Sequence, residues 1–132
     1  MAIDLARARV GLTGDNPAVG CVLVRAGGLL AAAVTAEGGR PHAEEQALDA
    51  ARDAIGATAY VTLEPCGARS AGGLSCAERL VRARVARVVV AASDTSPYAS
   101  GRGGTILRTG GVAVDCGVLA AEAAELYTDY SG

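Results

Sequence analysis

The stretch TAYVTLEPCGARSAGGLSCAERLVRARVARVVVAASD, residues 58–94, decides the fold of this 132-residue chain. It opens with the compact segment TAYVTL and closes with the nearly continuous apolar run RVVVAASD, and both patterns are typical of strands. Between them, CAERLVRARV carries Leu80, Val81 and Val85 at helical spacing, which predicts an amphipathic helix. A helix-length connection between two strands predicts a parallel β-α-β crossover, with the second strand buried on both faces.

The rest of the chain extends this unit in both directions. Upstream, AVGCVLVR and LLAAAVTA are separated by AGG, which predicts an antiparallel hairpin, and AIDLARARVGL predicts a first helix that ends near Leu12. HAEEQALDAARDAI predicts a helix with Ala47, Leu48 and Ile55 on one face. Gly56 is expected to be its C-cap. Downstream, GRGGTILRTGG, VAVDCG and VLAAEAAELYTDY predict a short helix, a final strand and a terminal helix.

This order of elements predicts an α/β fold of three layers, with a central five-stranded mixed sheet flanked by helices. The chain is 51% hydrophobic and 20% charged, which is typical of a folded globular protein. No repeat, linker or low-complexity tract marks a second domain, so residues 1–132 are expected to form one domain.

Charge and composition argue against nucleic-acid and membrane partners. The net charge is -2, the twelve cationic residues are all Arg and evenly spread, and there is no Phe or Trp to stack on bases. No apolar run is long enough for a bilayer, and MAIDLARARVGLTGDN lacks the apolar core of a signal peptide, so a cytoplasmic protein is expected. In that reducing compartment the four cysteines are not expected to form disulfides. Cys21 and Cys116 lie in apolar strand patterns, which predicts that both are buried.

Three features that can carry chemistry fall at comparable places on this scaffold. His42 and Glu44 open one helix, Cys66 follows a strand, and Cys76 opens the next helix. One imidazole and two thiolates make a three-ligand set for a catalytic zinc whose fourth position is open to water. Glu44 would then move protons beside the metal. Without the cysteines, the same His and Glu could be a surface residue and a carboxylate that stabilises the helix dipole, the role assigned to Glu45.

At these residues the chain resembles a known family. HAE, TLEPCG and a later Cys resemble the zinc-dependent cytidine-deaminase superfamily, whose signature is H-x-E followed by P-C-x-x-C. Nine residues separate Cys66 from Cys76, and this spacing is closer to the deaminase domain of the bifunctional riboflavin-biosynthesis deaminase/reductase. NPAVGCVLV, GATAYVTLEPC and SGRGGTILRTGGVAVDCGVLAAEAAEL add to the likeness, which covers essentially the whole chain. The reductase domain is expected to be absent.

The resemblance implies a cytidine-deaminase-like fold and a Zn2+ cofactor held by His42, Cys66 and Cys76. It implies that Glu44 shuttles protons while water replaces an amino group on a small heterocycle and ammonia leaves. Substrate contacts are expected from three residues: Asn16, Ala43 and Arg69. No nucleic-acid or membrane partner is expected, and the chain is expected to form a homo-oligomer.

The segments that would select the substrate depart from the family pattern. GARSAGGLS, residues 67–75, lacks the His, the Gly-Arg-Thr and the Pro-Pro that the family carries between its cysteines, and DTSP, residues 94–97, replaces Asp-Pro-Asn-Pro. The substrate is therefore either the riboflavin-pathway diaminopyrimidine nucleotide or a free base, nucleoside or unusual heterocycle. A noncatalytic zinc-stabilised binding module is the alternative of another class.

Overall fold

The computed structural model describes residues 2–8, 10, 12, 18–37, 41–63, 65–67, 74–92 and 102–116. Within these ranges the helices and strands follow the predicted order. The helices are α1 (Ala2–Arg7), α2 (Ala43–Ala51), α3 (Cys76–Arg82) and α4 (Arg102–Thr109). The strands are β1 (Gly20–Arg25), β2 (Gly28–Val34), β3 (Thr58–Leu63), β4 (Arg87–Ala92) and β5 (Ala113–Cys116).

The five strands form one mixed sheet in the order β2-β1-β3-β4-β5. β1 is antiparallel to both β2 and β3, whereas β3, β4 and β5 are parallel. The predicted hairpin, the parallel crossover and the five-stranded mixed sheet are thus confirmed. The hairpin turns at Ala26 and Gly27, whose φ angles of 53° and 77° are those of a primed two-residue turn, the type that matches the twist of paired strands.

The sheet separates two helical layers because successive side chains of a strand point to opposite faces. On one face Cys21, Leu23 and Val61 pack with Leu80 of α3 and Leu107 of α4 in the hydrophobic core, which also includes apolar residues of α2. α1 contacts β1, β2 and β3. It lies with the alternate residues of those strands around an apolar cleft, which places it on the other face.

β4 is buried on both faces, as predicted for the central strand of a parallel unit. The relative exposure of its consecutive residues Val88, Val89 and Val90 is 0%, 5% and 1%. The inward residues predicted for α3 are also confirmed, since Leu80 and Val85 are buried and Val81 packs against the core. β4 pairs with β3, so the edge formed by the end of β3 and the starts of α2 and α3 adjoins a strand that is buried on both faces.

Two helices end earlier than the sequence predicts. α1 ends at Arg7 and not near Leu12, because the helical spacing of apolar residues there does not mark a buried face: Val10 and Leu12 are both exposed. α2 ends at Ala51, and Ile55, which was predicted on its inner face, is 56% exposed.

The end of α2 is set by residues that the apolar spacing does not reveal. Arg52 adopts a left-handed φ of 62° at the C-cap, where Gly56 was predicted. The Asp53 carboxylate then accepts a hydrogen bond from the N–H of Ile55 at 3.0 Å and closes a local turn. Gly56 has a φ of 74° and lies in the connection to β3, where its N–H donates to the carbonyl of Arg84.

The two cysteines outside the predicted metal set differ in their exposure to solvent. Cys21 is fully buried, as predicted, but Cys116 is exposed, so that prediction was wrong. β5 is the edge strand of the sheet and three of its four residues are exposed, which explains the error. All four cysteines are free thiols.

The predicted terminal helix, VLAAEAAELYTDY, lies outside the described residues. Within the described ranges, none of the helices has the length and apolar character that crossing a membrane requires.

Candidate metal centre

Three predicted metal ligands meet at the edge of the sheet where β3 ends. His42 is the N-cap of α2, Cys66 follows β3, and Cys76 is the first residue of α3. One donor atom from each side chain, the imidazole nitrogen and the two sulfurs, lies within 4.8 Å of the other two. Nδ1 of His42 is 3.4 Å from Sγ of Cys76. Residues 34 positions apart in the sequence thus form one compact donor set.

The start of α3 is built to hold both cysteines. Ser75 is the N-cap, and its hydroxyl accepts a hydrogen bond from the N–H of Glu78 while the Glu78 carboxylate accepts one from the N–H of Ser75, each at 3.2 Å. This capping box begins the helix at Cys76. The N–H groups of the first helical turn then bind Cys66: the Cys76 N–H donates to its sulfur at 3.3 Å and the Ala77 N–H to its carbonyl at 3.1 Å.

The position of His42 depends on Gln46, one turn into α2. The amide nitrogen of the Gln46 side chain donates to the carbonyl of Val34 at the end of β2, at 2.7 Å, and to the carbonyl of Pro41 at 3.0 Å. Its backbone N–H donates to the carbonyl of His42 at 3.2 Å. Gln46 therefore ties the start of the helix, and the residue before the predicted ligand, to the sheet.

The donor set fits zinc. Zn–S and Zn–N bonds of about 2.3 and 2.0–2.1 Å at tetrahedral angles place neighbouring donor atoms about 3.5–3.8 Å apart, close to the observed His42–Cys76 distance. Three protein ligands leave a fourth position for water, which is the arrangement of catalytic zinc sites, whereas structural sites are closed by four protein ligands. His42 and Cys66 are partly exposed and Cys76 is buried, so part of the set is accessible to solvent.

Hydrogen bonds within the set distribute its protons. The hydrogen bond from the Cys76 thiol lowers the pKa of Cys66 to about 4, and hydrogen bonds from the His42 side chain and the Cys76 backbone act in the same direction. The same thiol contact, together with burial, raises the pKa of Cys76. The pKa of His42 is raised, chiefly because it donates to Cys66. Cys66 is thus a thiolate at neutral pH, and the site can give up protons to take up a divalent cation.

Glu44 is the buried carboxyl beside this set. It lies in the first turn of α2, two residues after His42, and its relative exposure is 4%. Burial raises the pKa of Glu44 to about 7, although its own backbone N–H and the nearby His42 oppose that shift. A carboxyl group with a pKa near 7 can both accept and donate a proton at neutral pH, which is what general acid–base catalysis requires.

Not every predicted substrate contact can be located. Ala43 is the first residue of α2 and is fully buried in the hydrophobic core. Asn16 and Arg69 lie outside the described residues. Substrate binding by these three residues stays a prediction.

The sequence reasoning missed Gln46 and underrated Glu45, which was assigned only to the helix dipole. Glu45 lies between the metal set and Arg79 of α3, with ion-pair distances of 4.0 Å to His42 Nδ1 and to the guanidinium. A signal was present in the spacing. Glu45 and Arg79 each follow a predicted ligand by three residues, and residues three apart on a helix lie on the same face.

Comparison with known proteins identifies the family to which this chain belongs. The model of the cytidine and deoxycytidylate deaminase zinc-binding region matches residues 1–92. The chain belongs to this family. The riboflavin biosynthesis protein RibD of Aquifex aeolicus is 43% identical over 131 residues, 98% of this chain and 36% of that protein. The Escherichia coli RibD is 41% identical over 126 residues, 95% of this chain and 34% of that protein. The chain thus spans about a third of the length of these relatives.

Solved structures agree in fold and coverage. Acinetobacter baumannii RibD superposes with a TM-score of 0.91 at 43% identity, covering 98% of this chain and 36% of that one. The Thermotoga maritima diaminohydroxyphosphoribosylaminopyrimidine deaminase/5-amino-6-(5-phosphoribosylamino)uracil reductase superposes with a TM-score of 0.87 at 36% identity, covering 95% of this chain and 36% of that one. The cytidine-deaminase-like fold and the likeness to the deaminase part of the bifunctional riboflavin enzymes are therefore confirmed, and zinc is the cofactor of the family.

Proposed function

We propose that this chain is a zinc-dependent hydrolytic deaminase that acts on the diaminopyrimidine nucleotide of the riboflavin pathway. The observation that supports this most strongly is the convergence of His42, Cys66 and Cys76 beside the buried carboxyl of Glu44. The three donor side chains would hold Zn2+, which when bound lowers the pKa of a coordinated water from 15.7 to about 7. The overall reaction replaces a ring amino group with oxygen from water and releases ammonia.

Glu44 is proposed to carry the protons of this reaction. Its carboxylate accepts one proton from the attacking water and donates it to the ring nitrogen. It then accepts the proton of the new hydroxyl group on the ring carbon and donates it to the amine, which leaves as ammonia when the C–N bond breaks. The pKa of Glu44, about 7, suits both transfers, because neither the ionised nor the protonated form is strongly favoured at neutral pH. Its burial keeps bulk water from taking part in the transfer.

The substrate class is inferred from the relatives. The Thermotoga maritima protein carries the name of a deaminase of a phosphoribosylaminopyrimidine, and the present chain matches 36% of its length. We propose a substrate that combines an aminated pyrimidine ring with a phosphoribosyl group. Asn16 and Arg69, with the backbone of Ala43, are the proposed contacts. The cytoplasmic location, the single domain and the homo-oligomeric state stay predictions.

The test is ammonia release from a panel of aminated heterocycles offered with and without a 5′-phosphate. The proposal expects turnover of the phosphorylated diaminopyrimidine and little turnover of free bases and nucleosides. Preference for an unphosphorylated base or nucleoside would contradict the proposed substrate but not the proposed deaminase activity. A zinc-loaded protein that releases no ammonia from any compound of the panel would favour a noncatalytic zinc-binding module.

A further inference from the structure

Glu45 and Arg79 form a charged pair next to the predicted metal donors. One carboxylate oxygen of Glu45, Oε1, is 4.0 Å from Nδ1 of His42, and the other, Oε2, is 4.0 Å from Nη2 of Arg79. The Glu45 side chain is only 12% exposed and that of Arg79 is 35% exposed, so both are shielded from water and ions for much of their length. The pair therefore joins α2 to α3 at the point where each helix supplies a predicted ligand.

A carboxylate at this distance from a donor atom is a possible metal ligand in its own right. Glutamate oxygens bind zinc at about 2.0–2.2 Å, and a rotation of one or two side-chain bonds is enough to move a carboxylate by 2 Å. A fourth protein ligand would close the site, which is the arrangement of structural zinc and not of catalytic zinc. The chain therefore needs something that holds Glu45 beside the donor set without letting it join.

Arg79 has the place and the charge to do this. It approaches Glu45 from the other helix, on the carboxylate oxygen that is not next to His42. A guanidinium is always charged at physiological pH and prefers carboxylates, so it competes with a cation for this oxygen pair. The capping box fixes the start of α3, and Arg79, three residues after Cys76, lies on the same face of the helix as that predicted ligand.

We propose that Arg79 is a positioning residue that restrains Glu45 as an outer-shell carboxylate and so keeps the fourth coordination position open to water. This inference rests on the proposed function, since only a catalytic zinc needs the open position. The negative charge of Glu45 also favours the bound cation from outside the coordination sphere. Outer-shell partners of metal ligands typically change metal affinity or activity by about 10- to 100-fold when they are replaced.

The experiment compares the full chain with Arg79→Met, Glu45→Gln and the double variant. Each is loaded with Co2+, whose visible absorption responds to a change of ligand, and titrated with Zn2+ against a chelator. Arg79→Met is expected to bind Zn2+ about 10-fold more tightly, to shift the Co2+ absorption because a carboxylate oxygen replaces water at the fourth position, and to deaminate about 10- to 100-fold more slowly. Adding Glu45→Gln should restore the wild-type spectrum and most of the turnover, which a merely structural α2–α3 contact would not do.

Two comparisons keep this test decisive. Arg82→Met removes an exposed Arg from the last turn of the same helix and should change none of the three readouts. Glu45→Gln alone should lower Zn2+ affinity but leave the Co2+ spectrum unchanged. This expectation can be tested even if Arg79→Met does not fold. A Co2+ spectrum altered by Glu45→Gln alone, or a wild-type spectrum and affinity in folded Arg79→Met, would overturn the proposal.

The readouts also separate this inference from the proposed function. If the spectra and affinities change as expected but neither wild type nor any variant releases ammonia, the coordination argument stands and the deaminase assignment fails. If wild type releases ammonia but Arg79→Met has the wild-type Co2+ spectrum, the deaminase assignment stands and the coordination argument fails.

Discussion

Replacing Gly67 with alanine should weaken zinc binding more selectively than any other glycine substitution in the described chain. Gly67 directly follows the predicted ligand Cys66 and lies against the start of α4. A Cβ added there would be 2.5 Å from Cβ of Arg102, 2.9 Å from its carbonyl carbon and 3.0 Å from the N of Gly103. Ordinary carbon contacts lie at about 3.5–4.0 Å, so the overlap is about 1 Å and falls mostly on helix backbone.

The size of the effect follows from which part must move. Overpacking of this kind costs about 1–3 kcal/mol, and a flexible side-chain end cannot relieve it here, so the loop that carries Cys66 has to shift away from α4. If most of that cost falls on the metal-binding geometry, Zn2+ affinity drops about 10- to 100-fold, since each 1.4 kcal/mol corresponds to a factor of ten. Chelator competition measures the affinity, and thermal unfolding with and without Zn2+ measures the fold.

Two matched substitutions give this test its controls. Gly28→Ala places a methyl group 3.5 Å from the carbonyl of Arg25, an ordinary contact, and should change neither property. Gly110→Ala would clash with the side chain of Val81 at the ends of α3 and α4 opposite to Cys76 and Arg102, and should lower stability without lowering Zn2+ affinity in the folded protein. Wild-type affinity in Gly67→Ala, or an equal loss of affinity in Gly110→Ala, would refute the reasoning.

Three further predictions concern the cysteines and His42. Cys66→Ala or Cys76→Ala should reduce bound zinc from about one per chain to near zero, whereas Cys116→Ala, at an exposed position, should keep the zinc. Elemental analysis of dialysed protein measures the zinc content. Near-stoichiometric zinc in Cys66→Ala or Cys76→Ala would contradict the assignment of these residues as ligands. Zinc uptake near neutral pH should release protons, because the pKa values of Cys76 and His42 are raised. Titration calorimetry in buffers of different ionisation enthalpy measures the number of protons released. A binding heat that does not depend on the buffer would contradict this prediction. Burial raises the pKa of Cys21, so the stabilising contribution of its protonated thiol is complete below the unfolded pKa of about 8.5 and is lost as pH rises. Above that value, the free energy of urea unfolding of wild type relative to Cys21→Ala should fall by about 1.4 kcal/mol per pH unit. A difference that stays constant with pH would show that Cys21 ionises freely in the folded protein.

Much of the fold could be predicted because its signals are local and redundant. The β-branched runs of β3 and β4, joined by a helix-length segment, leave few topologies open, and the parallel crossover follows. Helix ends were harder to predict. α2 stops at Ala51 because of the Arg52 backbone conformation and the Asp53 side-chain turn, and neither of these leaves a mark in the apolar periodicity of the sequence.

The candidate site was predictable to the extent that its residues are chemically distinctive. A single His and a Pro-Cys after a strand are rare combinations, so the donor set could be found before any contact was known. The supporting residues are common ones. Gln46 and Arg79 act through a hydrogen bond to β2 and an ion pair across two helices, and such contacts depend on tertiary packing that spacing alone does not give.

The most direct test of the central claim is to measure zinc content and ammonia release in Glu44→Gln. The account predicts about one zinc per chain, as in wild type, and turnover lowered by about 10²- to 10⁴-fold, because the amide keeps the shape of the buried side chain but cannot carry the proton. Glu37→Gln, at an exposed position after β2, serves as the matched control and should match wild type in both measurements. Full ammonia release by zinc-loaded Glu44→Gln would contradict the account.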